Sequence, residues 1–168
     1  MEHFSIPGVG GIIEKEINGV NHILVQKRCK EDSPFEYGLI EIPAGKIRAF
    51  ENIYDCLRRE IFEETGLTVT EIRDEDKIQI HKNGNYNVLN YEPFSCAQNI
   101  EGEYPIMVQI FICSAEGNLL NESIESMQIE WIDLLTLYSL LERESECLYP
   151  MHVHTLEKYL KAKNGENF

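Results

Sequence analysis

The stretch "GKIRAFENIYDCLRREIFEETGL", Gly45 to Leu67, decides how this chain is read, because it places acid where a helix tolerates it least. With successive residues about 100° apart around a helix axis, Ile53, Cys56, Leu57 and Ile61 share one apolar face, and Asn52 precedes them as a natural N-cap. Glu60 and Glu64 fall in the middle of that face, while the side left to solvent carries Asp55, Arg58 and Phe62. As an i, i+4 like-charge pair they cost about 0.2–0.5 kcal/mol even when exposed. The negative end of the helix dipole adds roughly 0.3–1 kcal/mol. A hard divalent cation reverses the sign of these penalties, and Mg²⁺ prefers carboxylate oxygens. Gly66 suits the left-handed position that ends a helix, and Leu67 the apolar contact after it. Arg59 and Glu63, four residues apart, are either a plain helix-stabilising ion pair or part of the binding chemistry.

On the N-terminal side, "VGGIIEKEI", a turn at Asn18-Gly19 and "HILVQKR" read as an antiparallel hairpin with apolar and polar residues alternating. "YGLIEI" is a short apolar run closed by Pro43, and Pro43-Ala44-Gly45 reads as a loop into the helix. On the C-terminal side "LTVTEI" and "KIQIHK" have strand character, and "PIMVQIFICSA" is continuous and apolar enough for a buried strand. Helices are expected over Asp133–Arg143, with Asp133 as N-cap, and over Met151–Ala162, with the tail 163–168 frayed. The pattern contains no repeat or linker, so the expectation is one α/β domain over residues 1–168 with a mixed sheet.

A length of 168 residues at 43 % hydrophobic suffices for one substantial core. Lys+Arg 15 against Asp+Glu 29 gives a net charge of -14, which repels nucleic-acid polymers and anionic membranes and leaves a small phosphorylated ligand, given a cation or a local basic patch. The five cysteines are scattered without a CxxC spacing, which fits a reducing cytoplasm better than a disulfide framework or a zinc knuckle. The N-terminus has no basic leader with an apolar run, and no segment is long and apolar enough to cross a bilayer.

Gly45, Glu51, Arg59, Glu60, Ile61, Glu63, Glu64, Gly66 and Leu67 resemble the Nudix hydrolase box at every fixed position. Chance would produce this match on the order of once in a million chains of this size. The resemblance implies an α/β/α sandwich and hydrolysis of a nucleoside diphosphate linked to another group, with Mg²⁺ or Mn²⁺ bound. It implies Glu60 and Glu64 as main metal ligands, Glu63 as a further ligand or positioner, the Gly45 carbonyl as a further donor, and Glu51 and Arg59 as residues orienting the loop against the helix. One departure is Phe50, where many members have Gly, and it bears on loop shape and substrate fit. Many relatives are homodimers.

Members often add a carboxylate from a later loop as base or extra ligand. In "NESIESMQIEWIDLL" the choices are Glu122, Glu125 and Glu130, and Glu125 is favoured by its distance before Trp131, against the plain reading of a solvated loop acid. Lys46 and Arg48 in the box loop, with Lys27 and Arg28, are candidates for a phosphate patch, and Tyr37, Tyr86 and Tyr91 for base stacking; surface solvation and core packing are the plain alternatives. His152 and His154 are not expected to bind metal.

"IEIPAGKI" resembles the loop of ADP-ribose and sugar-nucleotide pyrophosphatases more than the Pro-Gly-Gly loop of nucleoside-triphosphate cleaners, and so favours an ADP-ribose-like substrate. Against that, Lys82 stands where many ADP-ribose enzymes have Pro, and no motif for dinucleotide NADH is present. The alternatives are a house-cleaning triphosphate pyrophosphohydrolase, a catalytically silent nucleotide sensor, and an isomerase of the same fold, whose extra Cys and His ligands the sequence does not specifically supply.

Overall fold

The computed structural model describes residues 2–29 and 35–165. In chain order its elements are β1 (Ile6–Ile17), β2 (Val20–Arg28), β3 (Ile40–Glu41), β4 (Ala44–Lys46), α1 (Ile53–Thr65), β5 (Thr68–Ile72), β6 (Gln79–Asn83) and β7 (Tyr86–Asn90). β8 (Ser95–Gln98), β9 (Ile106–Glu116), β10 (Ser126–Asp133), α2 (Leu134–Arg143) and α3 (Pro150–Gly165) follow. The main sheet runs β10-β2-β1-β9-β5, with β3, β4 and β8 paired to β2, β1 and β9. β1 and β9 are parallel, so the most apolar run of the sequence lies beside the N-terminal strand in mid-sheet.

Period-two alternation sends neighbouring residues to opposite faces. Val9, Ile13, Leu24 and Phe111 pack under α1 with Leu57 and Ile61. Ile12, Ile23, Val25 and Ile110 pack under α2 and α3 with Leu137, Leu156 and Tyr159. Helices on both faces of one mixed sheet make the α/β/α sandwich.

α1 starts where the Asn52 side chain accepts the Tyr54 N–H at 2.9 Å, and ends at Gly66 with φ 77. A side chain at Gly66 would also meet the Asn118 carbonyl at 2.8 Å. Asp133 caps α2 by accepting the Thr136 N–H at 2.7 Å.

Several elements differ from the sequence reading. Ala44–Lys46 is strand rather than loop, because Gly8–Gly10 of β1 offers it a pairing edge. Of "YGLIEI" only Ile40–Glu41 is strand. Of "KIQIHK", Lys77 closes a short 3-10 turn, Ile78 follows it, and residues 79–82 enter β6, which folds back on β7 through Gly84-Asn85 as a separate two-stranded sheet. The acidic stretch before α2, read as loop, contains β10 on the edge of β2. α3 reaches Gly165, so the expected frayed tail begins inside a helix, and residues 166–168 lie outside the described ones. Among the described residues no helix is long and apolar enough to cross a membrane.

Candidate active site

The last turns of α1 bring two carboxylates onto the backbone of β4. Glu64 is buried, and its Oε2 accepts the Ala44 N–H at 3.1 Å and Gln26 Nε2 at 2.8 Å. Glu60 lies against Gly45: a Cβ built there would stand 1.9 Å from the Glu60 carboxyl carbon, so any residue but glycine would displace the acid. Burial pushes the Glu60 carboxyl above its ordinary range; Arg59 opposes this, and the charges of Glu63 and Glu125 add to it. The Glu63 side chain is 53 % exposed, on the rim.

Arg59 joins helix and loop. Its Nε and Nη2 donate to the two oxygens of Glu51 at 2.8 and 2.9 Å, a bidentate pair, and Nη1 donates to Glu60 at 2.5 Å and Glu63 at 3.3 Å. Nη2 also reaches the Lys46 carbonyl at 3.3 Å. Hydrogen bonding from Arg59 holds the Glu51 carboxyl down at about 2. Glu51 also accepts the Arg48 N–H at 2.9 Å, which shapes the turn in which Phe50 sits at φ 61 with its ring fully exposed.

Behind Glu64 lies a buried polar group that the sequence reading did not single out as a unit. Gln26 is 0 % exposed and reaches Glu41 as well, at 3.5 Å. Glu41 accepts from Arg28 at 2.5 Å, and Arg28 also pairs with Glu36 at 2.6 Å and lies 4.2 Å from the centre of the Tyr149 ring. Arg28 is therefore a buried, paired cation rather than part of an open surface patch. It still lines a cleft with Glu41, Gly45, Lys46, Tyr149 and His152, so the structure brings two of the four expected phosphate-binding cations, Arg28 and Lys46, beside Gly45, and Lys27 does not line it. Arg48 is exposed and does not line that cleft.

The expected stacking residues lie elsewhere. Tyr91 packs on Tyr54 and Phe111, Tyr86 is exposed on β7, and Tyr37 is exposed in a turn. Tyr104 and Tyr149 line the cleft instead, and Lys46 Nζ sits 5.3 Å from the Tyr104 ring centre. Nothing in the local sequence around either tyrosine marks that role, since the cleft forms only when β4, β9 and the start of α3 meet.

His152 is buried; its Nδ1 accepts the Ile42 N–H at 3.3 Å, and burial pushes its pKa down to about 3, so it is neutral. Glu125 is exposed at the entrance to β10, with its carbonyl accepting the Cys29 N–H at 3.0 Å and its charge felt at Glu60. Glu122 sits in a turn bridged to Met127, and Glu130 is an exposed residue within β10 opposite Val25.

The NUDIX domain matches residues 6–152, most of the chain. The chain belongs to the Nudix family. No curated protein matches it by sequence. Among solved structures it is similar to a MutT protein from Methanosarcina mazei Go1, with a TM-score of 0.65 at 19% identity and 98% of each chain covered. It is similar to the NUDIX domain of Shewanella oneidensis NrtR, solved with ADP ribose, with a TM-score of 0.66 at 12% identity, covering 96% of this chain and 90% of that one. The E. coli ORF135 protein matches with a TM-score of 0.62 at 21% identity, covering 95% of this chain and 91% of that one. At these identities the likeness carries the fold.

As a Nudix hydrolase the domain acts on pyrophosphate bonds, and the family generally uses a divalent metal. Among the described residues no three His, Cys, Asp or Glu side chains converge on one point. Glu60 is turned to Arg59 and Glu64 to Gln26 and Ala44. The donor set nevertheless fits a hard cation: the Glu60 carboxylate lies against Gly45, Glu64 holds the neighbouring Ala44 N–H, Glu63 stands on the rim of the same helix, and the buried Gln26 Oε1 has no hydrogen-bond partner in the structure. The acids cluster despite the like-charge cost that burial magnifies.

Proposed function

We propose that this Nudix domain hydrolyses a nucleoside diphosphate linked to a second group, with ADP-ribose or sugar nucleotides as the substrate class and Mg²⁺ or Mn²⁺ as cofactor. The observation that carries the reading is the contact of Glu60 with side-chain-free Gly45, beside the contact of Glu64 with Ala44 of the same short strand. Glu60 and Glu64, with Glu63 and the Gly45 carbonyl, would hold the metal. A metal bound there neutralises the diphosphate and lowers the pKa of the attacking water.

The chain's own residues supply the rest. Arg59 ties Glu51 to Glu60 and so fixes the loop against the helix. Arg28 and Lys46 face the cleft beside Gly45, where they offset the diphosphate charge, and Tyr104 and Tyr149 flank the group attached to it. Glu125, whose charge reaches Glu60, takes the proton of the attacking water. The "EIPAGK" loop, Glu41–Lys46, and the ADP ribose bound to the Shewanella domain both support the substrate class.

A panel of nucleoside diphosphate derivatives and nucleoside triphosphates, scored for phosphate release with and without added phosphatase, tests this. Metal-dependent turnover of ADP-ribose or a sugar nucleotide above any triphosphate is expected. Preference for a triphosphate would establish the house-cleaning alternative, and binding without turnover the sensor.

A further inference from the structure

We infer that Gln26 is the residue that positions Glu64 and links it, through Glu41, to Arg28 in the substrate cleft. The inference rests on the metal-dependent reading above. The Gln26 side chain is wholly buried between two acids, with Nε2 2.8 Å from Glu64 Oε2 and 3.5 Å from Glu41 Oε1. Only the NH₂ end of an amide donates, so two flanking carboxylates dictate which way it points. Its carbonyl end, Oε1, is then an acceptor buried with the carboxylates.

The backbone is shaped around this residue. β10 pairs with β2 at Met127↔Lys27 and again at Glu130↔Val25, so two residues of β10 stand opposite Gln26 alone. One of them, Gln128, has φ 47, the backbone of a bulge. Bulges re-aim side chains next to active sites. Arg28 follows two residues later on the same face of β2, closing the series Glu64–Gln26–Glu41–Arg28 with Arg28 to Glu41 at 2.5 Å.

One end of the series is a proposed metal ligand and the other lines the cleft. A donor behind a ligating carboxylate fixes which oxygen faces the ion, and removing such a donor costs 10–100-fold in metal affinity or activity.

Titrating the full chain with Mn²⁺, followed by the EPR signal of the free ion, tests the assignment in wild type, Gln26→Met and Gln26→Asn. Met fills a similar volume without a donor, and Asn keeps the amide but is one methylene too short to reach both acids. Both are expected to weaken the Mn²⁺ Kd about 10- to 100-fold and to lower kcat with little change in KM. Either variant, folded by its melting curve and showing wild-type Mn²⁺ affinity and kcat, would overturn the inference; a purely structural Gln26 predicts that result. Should Gln26→Met not fold, Gln26→Asn carries the test alone. A wild-type chain that binds no Mn²⁺ would overturn the metal reading itself, and this inference with it.

Discussion

Helices α1 and α3 both bury polar side chains against the same sheet, and they do so in opposite ways. α1 buries charge: Glu64 is held by Gln26 and Ala44, and half-buried Glu60 by Arg59. α3 buries neutral groups: His152 accepts from the Ile42 N–H, Thr155 donates to Ser95 at 2.9 Å, and Tyr159 donates to Glu14 at 2.8 Å. A buried neutral group needs only a hydrogen bond, whereas a buried charge needs a partner charge or several donors. On the α3 side the bonds fasten a helix to strands. On the α1 side they hold carboxylates in a place where folding alone gains nothing from them. The difference teaches where to look for chemistry: the face that retains uncomfortable charge.

The comparison is broken most directly at Glu64. In Glu64→Gln the hydrogen bonds from Gln26 and Ala44 still find an oxygen, but the charge is gone. We expect kcat to fall toward the upper end of roughly 10²–10⁴-fold, with the melting temperature in EDTA unchanged or higher. Wild-type turnover by this variant would mean that the buried charge on α1 is only structural.

Glu125→Gln is the next effect in size. A lost general base lowers kcat about 10²-fold with KM little changed, and the acidic limb of the pH–rate profile disappears. Wild-type kcat would return Glu125 to solvent and turn attention to Glu122 or Glu63.

The α3 side is sharpened by pH. The folded pKa of His152, about 3, lies below the ordinary 6.5, so the unfolded chain takes up the proton first. Its contribution is complete above pH 6.5 and is lost as pH falls toward 3, by about 1.4 kcal/mol per pH unit. Urea unfolding of wild type and His152→Gln between pH 7 and 5 is the check, and the variant should show the shallower slope. Equal slopes would show that His152 is not held neutral.

The smallest effect is at Phe50, whose φ of 61 and fully exposed ring make it costly to the isolated domain. Phe50→Gly should raise stability by about 1 kcal/mol as the left-handed strain is relieved. A lower melting temperature would show that the ring packs on something in solution.

Local chemistry determined the α1 segment from cap to cap. Asn52, the apolar spacing and Gly66 act within a few residues of one another, so their meaning survives without the rest of the chain. The same holds for the hairpin at Asn18-Gly19 and the buried strand β9, whose composition leaves few alternatives. The cluster of Glu60 and Glu64 was legible too, because its physical oddity is a property of one helix.

Tertiary structure decided what those acids touch. Gln26 and Glu41 looked like ordinary strand residues, and only the pairing of β2 with β3 and a bulged β10 turns them toward Glu64 and Arg28. Lys46, Tyr104, Tyr149 and His152 meet at one cleft although more than one hundred residues separate the first from the last. Residues 126–133 read as loop because their strand character is realised only on the edge of β2, and Ala44–Lys46 because its pairing partner lies in β1. Periodicity and caps are short-range, so sequence reports them. Strand pairing and burial are long-range, so which carboxylate is buried, and by whose donor it is held, exists only once the sheet has formed.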